Sequence, residues 1–325
     1  MYKLTRLERI ILTKPPFYFF VKRSKKWIPR GFEGIPVYDV MSFFSKRFSI
    51  PSLTERAAAI SYNFIMSVPA TCLFLFTLIP NLPFISKKGM KTQLHALIVD
   101  IVPAKTYNTG LINFVDSFID GSKIGLISFS FFLSLFFASN AIMGVMRSFN
   151  KDYIGFEKIK GIKKRWIAIK LTILLFGLLM LCLVLLLIQS NILNWIGVKN
   201  QLVKDTILYG KWVLIVALIF YSFAFIYRYA PATTKRWKLI SPGAIIATFL
   251  SILSTIGFSS FINNFGRFNV LYGSIGTIMV FMILIFINSL VVLIGFDFNV
   301  SIKTLKALSD QKKSEEGGGT FSTTT

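Results

Sequence analysis

Residues 274–296 read SIGTIMVFMILIFINSLVVLIGF, 23 positions without one charged side chain. At about 1.5 Å per residue a helix of that length reaches about 35 Å, enough to cross a hydrocarbon layer of about 30 Å. No water is available there to hydrogen-bond a backbone, so only a helix or a closed barrel can span it. The run lacks the apolar/polar alternation of a barrel strand, which leaves the helix. Working outward, five more runs of this kind appear: Ile240–Ile262, Trp212–Tyr229, Ile167–Gln189, Ile124–Met146 and Arg56–Ile79. Trp212–Tyr229 is the shortest. The sequence therefore predicts an all-α integral membrane protein with six transmembrane helices over residues 56–300.

Composition agrees. Of 325 residues, 54% are hydrophobic and 16% charged, where soluble chains carry about a quarter charged. A net charge of +23 would ordinarily suggest nucleic acid, but the Lys and Arg lie between the apolar runs. Residues 1–55 hold eleven, the Arg147–Trp166 connection seven, and the short Ala230–Leu239 connection three. The alternate connections hold fewer for their length. By the rule that Lys and Arg resist translocation, the basic connections and both termini are expected on the cytoplasmic side of the membrane. This reading uses the charge with no nucleic-acid ligand, and it expects anionic lipid against the basic side.

Outside the spans, residues 1–55 form a basic segment with two amphipathic stretches, Leu4–Phe20 and Val37–Phe48, expected to lie along the membrane surface. No signal peptide is read there, and the first span is expected to serve as the insertion signal. The outer connection after the first span repeats helical apolar spacing at Leu94, Leu97, Ile98 and Ile101, then at Leu111, Val115, Phe118 and Ile119. That spacing predicts a helical outer loop carrying His95, the one histidine, as a surface residue. The segment 301–325 is expected to be a largely disordered cytoplasmic tail, because its end is polar and rich in Gly, Ser and Thr.

Within the spans, Gly243, Ala247, Ser251, Thr255 and Ser259 recur every four residues, a stripe that lets a neighbouring helix approach closely; the rival reading is that its hydroxyls line a polar path. Pro69 removes one helix hydrogen bond and predicts a kink. Neutral polar groups at Asn63, Asn140 and Asn288, the Gly/Asn-rich turn with Tyr272 and Gly273, and Asp297 at the end of the last span are the candidate transport path or substrate-binding residues. Cys72 and Cys182 read as small apolar fillers. Neither a metal site nor a cofactor is expected: one histidine cannot supply a catalytic metal cluster, and no phosphate-binding loop or nucleophile elbow is present.

Three strings carry a family resemblance: RAAAISYNFIMSVPATCLFLFTLIP at 56–80, MRSFNKDY at 146–153, and the long stretch from Tyr227 whose Pro242-Gly243, Tyr272-Gly273-Ser274 and GFDFN (295–299) stand in family order. On these the chain resembles the YihY/BrkB family of bacterial inner-membrane proteins, once misleadingly labelled ribonuclease BN. Asp297 stands where that family usually has Glu. The resemblance implies a six-helix inner-membrane fold and an association with transport or envelope functions, without a settled chemistry. The expectation is a transporter or flippase-like exporter of a small solute or lipid-related molecule, not an enzyme. The alternative is a non-transporting envelope organiser that binds anionic lipid and a partner protein, or forms a homo-oligomer.

Overall fold

The computed structural model describes residues 22–29, 31–47, 49–78, 124–149, 161–195, 201–233, 236–265 and 274–318, and six positions between 91 and 116. Among them run a short helix α1 (Val37–Arg47) and six long ones: α2 (Ile50–Leu78), α3 (Ile124–Phe149), α4 (Gly161–Trp195), α5 (Gln201–Tyr229), α6 (Pro242–Phe265) and α7 (Ser274–Gly318). Five of the six are long and apolar enough to cross a bilayer, and in α5 the apolar part is shorter, Val213–Tyr229. The chain is an all-α membrane protein. Each long helix packs on the next in sequence, and α7 returns to pack on α2, so the six close into a ring.

The largest buried cluster of this ring sits toward one end, while Ala70, Phe74, Ser130 and Ser134 are buried in the other half of α2 and α3. The residues of the cluster are Leu53, Ala57 and Ile60 of α2, Ile142 to Phe149 of α3, Ala168 and Leu171 of α4, Phe223 to Tyr227 of α5, Ala244 and Ala247 of α6, and Val291 to Val300 of α7. All lie toward the end of the ring where the basic connections emerge, here termed the basic end. Phe149 and Phe296 stack there with ring centroids 3.8 Å apart, and Trp237 lies 5.5 Å from Phe296.

One expectation is refined and one corrected at that end. Val37–Phe48 is docked on protein: α1 buries Val40 completely, and with Val37 and Phe44 it packs on Phe298, Ile302 and Leu305 of α7. The segment 301–325 is not largely disordered, because α7 runs on to Gly318 with Ser301, Ile302 and Thr304 buried. The physical reason is one stripe. Phe298, Ile302 and Leu305 fall at i, i+4 and i+7, and this apolar face beyond the membrane finds its partner in α1. At 45 residues α7 is about 67 Å long, roughly twice the hydrocarbon thickness. The stretch Leu4–Phe20 and most of the expected outer-loop helices lie outside the described residues. Of that loop, His95 is helical and its Nε2 lies 2.9 Å from Asp116 Oδ1, with Lys91 Nζ 3.6 Å from the same oxygen.

Candidate functional site

The five residues of GFDFN occupy little more than one turn of α7 and therefore point in different directions, each to a different partner. Gly295 faces α6: a Cβ on Gly243 would overlap its carbonyl oxygen, and a Cβ on Gly295 would stand 2.7 Å from the Gly243 oxygen and 2.9 Å from Ala247 Cβ. Only paired glycines allow this approach. Phe296 makes the aromatic stack. Asp297 pairs with Arg56 at the start of α2 through two hydrogen bonds of 3.1 and 3.3 Å, with the side chains 21% and 11% exposed. Phe298 meets Phe32 and Phe44 edge-on. Asn299 Oδ1 accepts the Gly243 N–H at 2.8 Å and its Nδ2 donates to Ser241 Oγ at 3.0 Å.

Neighbouring helices join the same seal. Arg56 Nε donates to the Ser148 carbonyl at 3.1 Å, which ties α2 to the end of α3. Tyr227, 1% exposed, donates its hydroxyl to the Val292 carbonyl at 2.9 Å and ties α5 to α7. Ser241 caps α6 by accepting the Ala244 N–H at 3.3 Å, followed by Pro242 in the first helical position, where a missing N–H costs nothing. A bidentate Arg–carboxylate pair held between helix ends gives direction as well as attraction, and removing one member leaves a charge in a poorly hydrated place. The basic end of the ring is thus shut by one ion pair, one aromatic stack and a double-glycine contact.

The opposite half differs. On α6, Gly243, Ala247 and Ser251 are buried, whereas Thr255 and Ser259, which continue the same stripe, are exposed. So are Ile256, Gly257, Ser260 and Phe261, which cover most of the helix surface apart from the half-buried face of Ser254 and Phe258, and Met279, Phe281, Met282 and Ile283 on α7. The small-residue stripe therefore makes its close contact over half its length only. Ser251 Oγ donates across the seam to Asn288 Oδ1 at 2.7 Å, at the point where the buried part of the stripe ends.

A second opening lies between α2, α3 and α4. A cavity of about 270 Å³ is walled by Phe64, Val68, Cys72, Ile142, Leu175 and Phe176. The hydroxyls along it turn back on their own helices, Ser67 to Phe64 O, Thr71 to Ser67 O and Thr172 to Ala168 O, each within 2.8 Å. The wall offered to a guest is accordingly apolar.

The residues singled out in the sequence are not gathered in one polar cavity. Asn63 donates to the Ala59 carbonyl at 2.7 Å and fills the space against Gly144, where a Cβ would stand 3.0 Å from its Nδ2. Asn140 Oδ1 accepts from Arg165 of α4, whose guanidinium lies 4.8 Å above the Phe136 ring. Asn288 belongs to the α6–α7 seam. Pro69 is exposed on the face shared with Tyr62 and Met66, away from the cavity, and α2 continues through it as one helix. Tyr272 and Gly273 lie outside the described residues. Sequence reasoning missed Arg56, Tyr227, Gly295 and the Ser241–Asn299 pair. For Arg56 a signal existed: a cation and an anion, Asp297, at the same end of two spans.

Comparison with known proteins follows this geometry. The family described as "Virulence factor BrkB" matches residues 44–318, which holds all six long helices and the ion pair, aromatic stack and glycine contact of the basic-end seal. The ribonuclease-like protein YfkH of Bacillus subtilis is 26% identical over 283 residues, 83% of this chain and 98% of its own length. A UPF0761 membrane protein of Coxiella burnetii is 21% identical over 78% of this chain and 90% of its own, and UPF0761 membrane protein IL2447 of Idiomarina loihiensis 23% over 85% and 94%. No solved structure matches. With the match running through the helices that build the ring and through the GFDFN turn that closes it, this multi-pass membrane protein belongs to the Virulence factor BrkB family.

Proposed function

We propose that the chain is a flippase-like transporter of a lipid-related molecule, set in a bacterial cytoplasmic membrane with its basic end inward and not acting as an enzyme. The observation that carries this reading is the asymmetry of the α6–α7 seam: sealed around GFDFN at one end, with its small-residue stripe exposed beyond Ser251–Asn288 at the other. A transporter that exposes its path to one side at a time needs one closed end and one open end, exchanged by rocking of helices about a fixed contact. The apolar cavity between α2, α3 and α4 favours an acyl or prenyl chain over a hydrophilic solute. The ribonuclease-like name of YfkH is not carried to this chain: its one histidine is engaged with Asp116, and among the described residues no three His, Cys, Asp or Glu stand together.

Purified protein in phospholipid vesicles tests the reading, with loss of a headgroup-labelled fluorescent lipid to an external quencher as the signal. Ser251→Cys with Asn288→Cys, cross-linked by oxidant, should stop lipid movement, and reductant should restore it. Vesicles no faster than protein-free ones would sink the proposal. The second reading, a non-transporting organiser with a protein partner or a second copy of itself, is favoured by one observation. Asn63, Asn140 and Asn288 are each satisfied in separate places, as structural amides are. Crosslinking in cells that recovers one stoichiometric partner, with no lipid movement in vesicles, would select it.

A further inference from the structure

At the basic end a pocket of about 290 Å³, on the order of ten waters' share of liquid volume, opens between the turn at Pro29–Gly34, the Trp237–Pro242 connection and the start of the α7 extension. Its polar lining consists almost wholly of donors. Lys238 is exposed and has no ion pair among the described residues. Lys303 pairs with Glu33 at 2.6 Å, which uses the one carboxylate in the wall. Ser241, 6% exposed, accepts two hydrogen bonds at Oγ, from Ala244 N and Asn299 Nδ2, and its own hydroxyl proton has no acceptor among the described residues. Asn299, 4% exposed, commits one Nδ2 hydrogen to Ser241, and the second finds no acceptor among the described residues. The remaining donor capacity of these two side chains is available to an acceptor that enters the pocket. The N-terminal end of α6 adds a positive field at the same place, although its first free amides, of Gly243 and Ala244, are already taken by Asn299 and Ser241.

The surroundings give the pocket a depth in the membrane. Ile240 in its rim is 68% exposed, and Trp27 and Ile28, next to the lining residue Pro29, are 61% and 50% exposed. Apolar and aromatic side chains beside cations are the composition of a headgroup-level surface.

We infer that this pocket is a phosphate site, taking the phosphate of a lipid headgroup or of a soluble phosphate ester between the Lys238 ammonium, the Ser241 hydroxyl and the Asn299 amide. A phosphate brings several acceptor oxygens and a negative charge to a wall that offers donors, and charge-assisted bonds of this kind are the strong ones. The site does not depend on transport, and binding measured on the isolated protein tests it separately from lipid movement.

The test titrates detergent-purified full chain with three probes: dihexanoyl phosphatidic acid, dihexanoyl phosphatidylcholine and inorganic phosphate. Saturable binding of phosphatidic acid is expected, weakened about tenfold by Lys238→Gln and largely restored in Lys238→Arg. Lys163→Gln, which removes an equal charge from an exposed position on α4, is the control and should bind as the parent does. Lys238 is exposed and without an ion pair among the described residues, and an unchanged melting temperature verifies that Lys238→Gln leaves the fold intact. Competition by inorganic phosphate at similar concentration assigns the site to a soluble phosphate, and its absence assigns it to a lipid headgroup. No saturable binding of any of the three phosphate-bearing probes, or equal loss in Lys238→Gln and Lys163→Gln, overturns the proposal.

Discussion

Two glycines of α6 sit four turns apart and should respond to the same substitution with opposite sign. At Gly243 an added methyl overlaps the Gly295 carbonyl oxygen and comes within 2.6 Å of the Asn299 side chain. Contacts of carbon with a carbonyl oxygen settle at about 3.3–3.6 Å. The obstruction is backbone on the facing helix, so relief requires α6 and α7 to separate by about 1 Å. That movement stretches the 2.8 Å bond from Gly243 N to Asn299 and with it the cap that Asn299 shares with Ser241. Overpacking costs about 1–3 kcal/mol and a lost hydrogen bond about 1 more, giving about 2–4 kcal/mol against Gly243→Ala. At Gly257 nothing lies within 4 Å of the added atom, and Ala is the better helix former by about 1 kcal/mol. The measurement is the melting temperature of each variant in detergent, read as the monodisperse fraction after heating. Gly243→Ala should melt well below the parent, and Gly257→Ala at or slightly above it. If Gly243→Ala melts with the parent, the double-glycine contact is not what holds α6 on α7, and the account of the basic-end seal fails with it.

Asp297→Asn should destabilise by about 3 kcal/mol, because it strands the Arg56 charge between helix ends, and Arg56→Gln on that background should restore part of the loss; additive effects of the two changes would refute the pairing. Phe296→Leu removes the stack on Phe149 and the contact with Trp237, and a loss of about 1–2 kcal/mol in the same melt is expected, absent if the ring is not packed there. Ser251→Ala should cost under 1 kcal/mol, since hydrogen bonds between helices in a bilayer average about 0.6 kcal/mol, and a much larger loss would show that the buried contact does not end at Ser251. A cysteine at Lys163 should resist an impermeant thiol reagent in intact cells and react after lysis; labelling from outside would invert the proposed orientation.

The six spans were legible because hydrocarbon admits so few backbone arrangements that a run such as 274–296 has a single reading. The stripe on α6 was legible for a related reason, since small residues every four positions have one packing consequence. How far that contact extends was not legible: Ser251 and Thr255 look alike in sequence, and their different burial is decided by what lies opposite each of them in the fold. The three asparagines looked like members of one path because each is a polar group in an apolar run. Which partner satisfies each depends on neighbours far along the chain, as with Asn140 and Arg165. The α1–α7 contact was half visible. Both stripes were present in the sequence, but the polar end of 301–325 drew attention from Ile302 and Leu305, and an amphipathic helix next to a membrane reads equally well as docked on lipid or on protein.

On the transport reading, the two ends of the ring hold very different energies, and this fixes which step needs driving. Opening the basic end would break the Arg56–Asp297 pair, unstack Phe149 from Phe296 and part Gly243 from Gly295; the ion pair alone is worth about 3 kcal/mol if its members are left apart. Toward the other end, α6 is tied to α7 by the Ser251–Asn288 hydrogen bond, worth about 0.6 kcal/mol. Lipid is as apolar as the helix faces it replaces, so little else pulls the outer halves together. The unliganded protein should therefore rest with the basic end shut. Moving such an equilibrium from 1:99 to 99:1 takes about 5.5 kcal/mol of differential binding. A ligand gripping both α6 and α7 would have to supply that by binding the state in which their basic ends have separated more tightly than the one in which Gly243 touches Gly295.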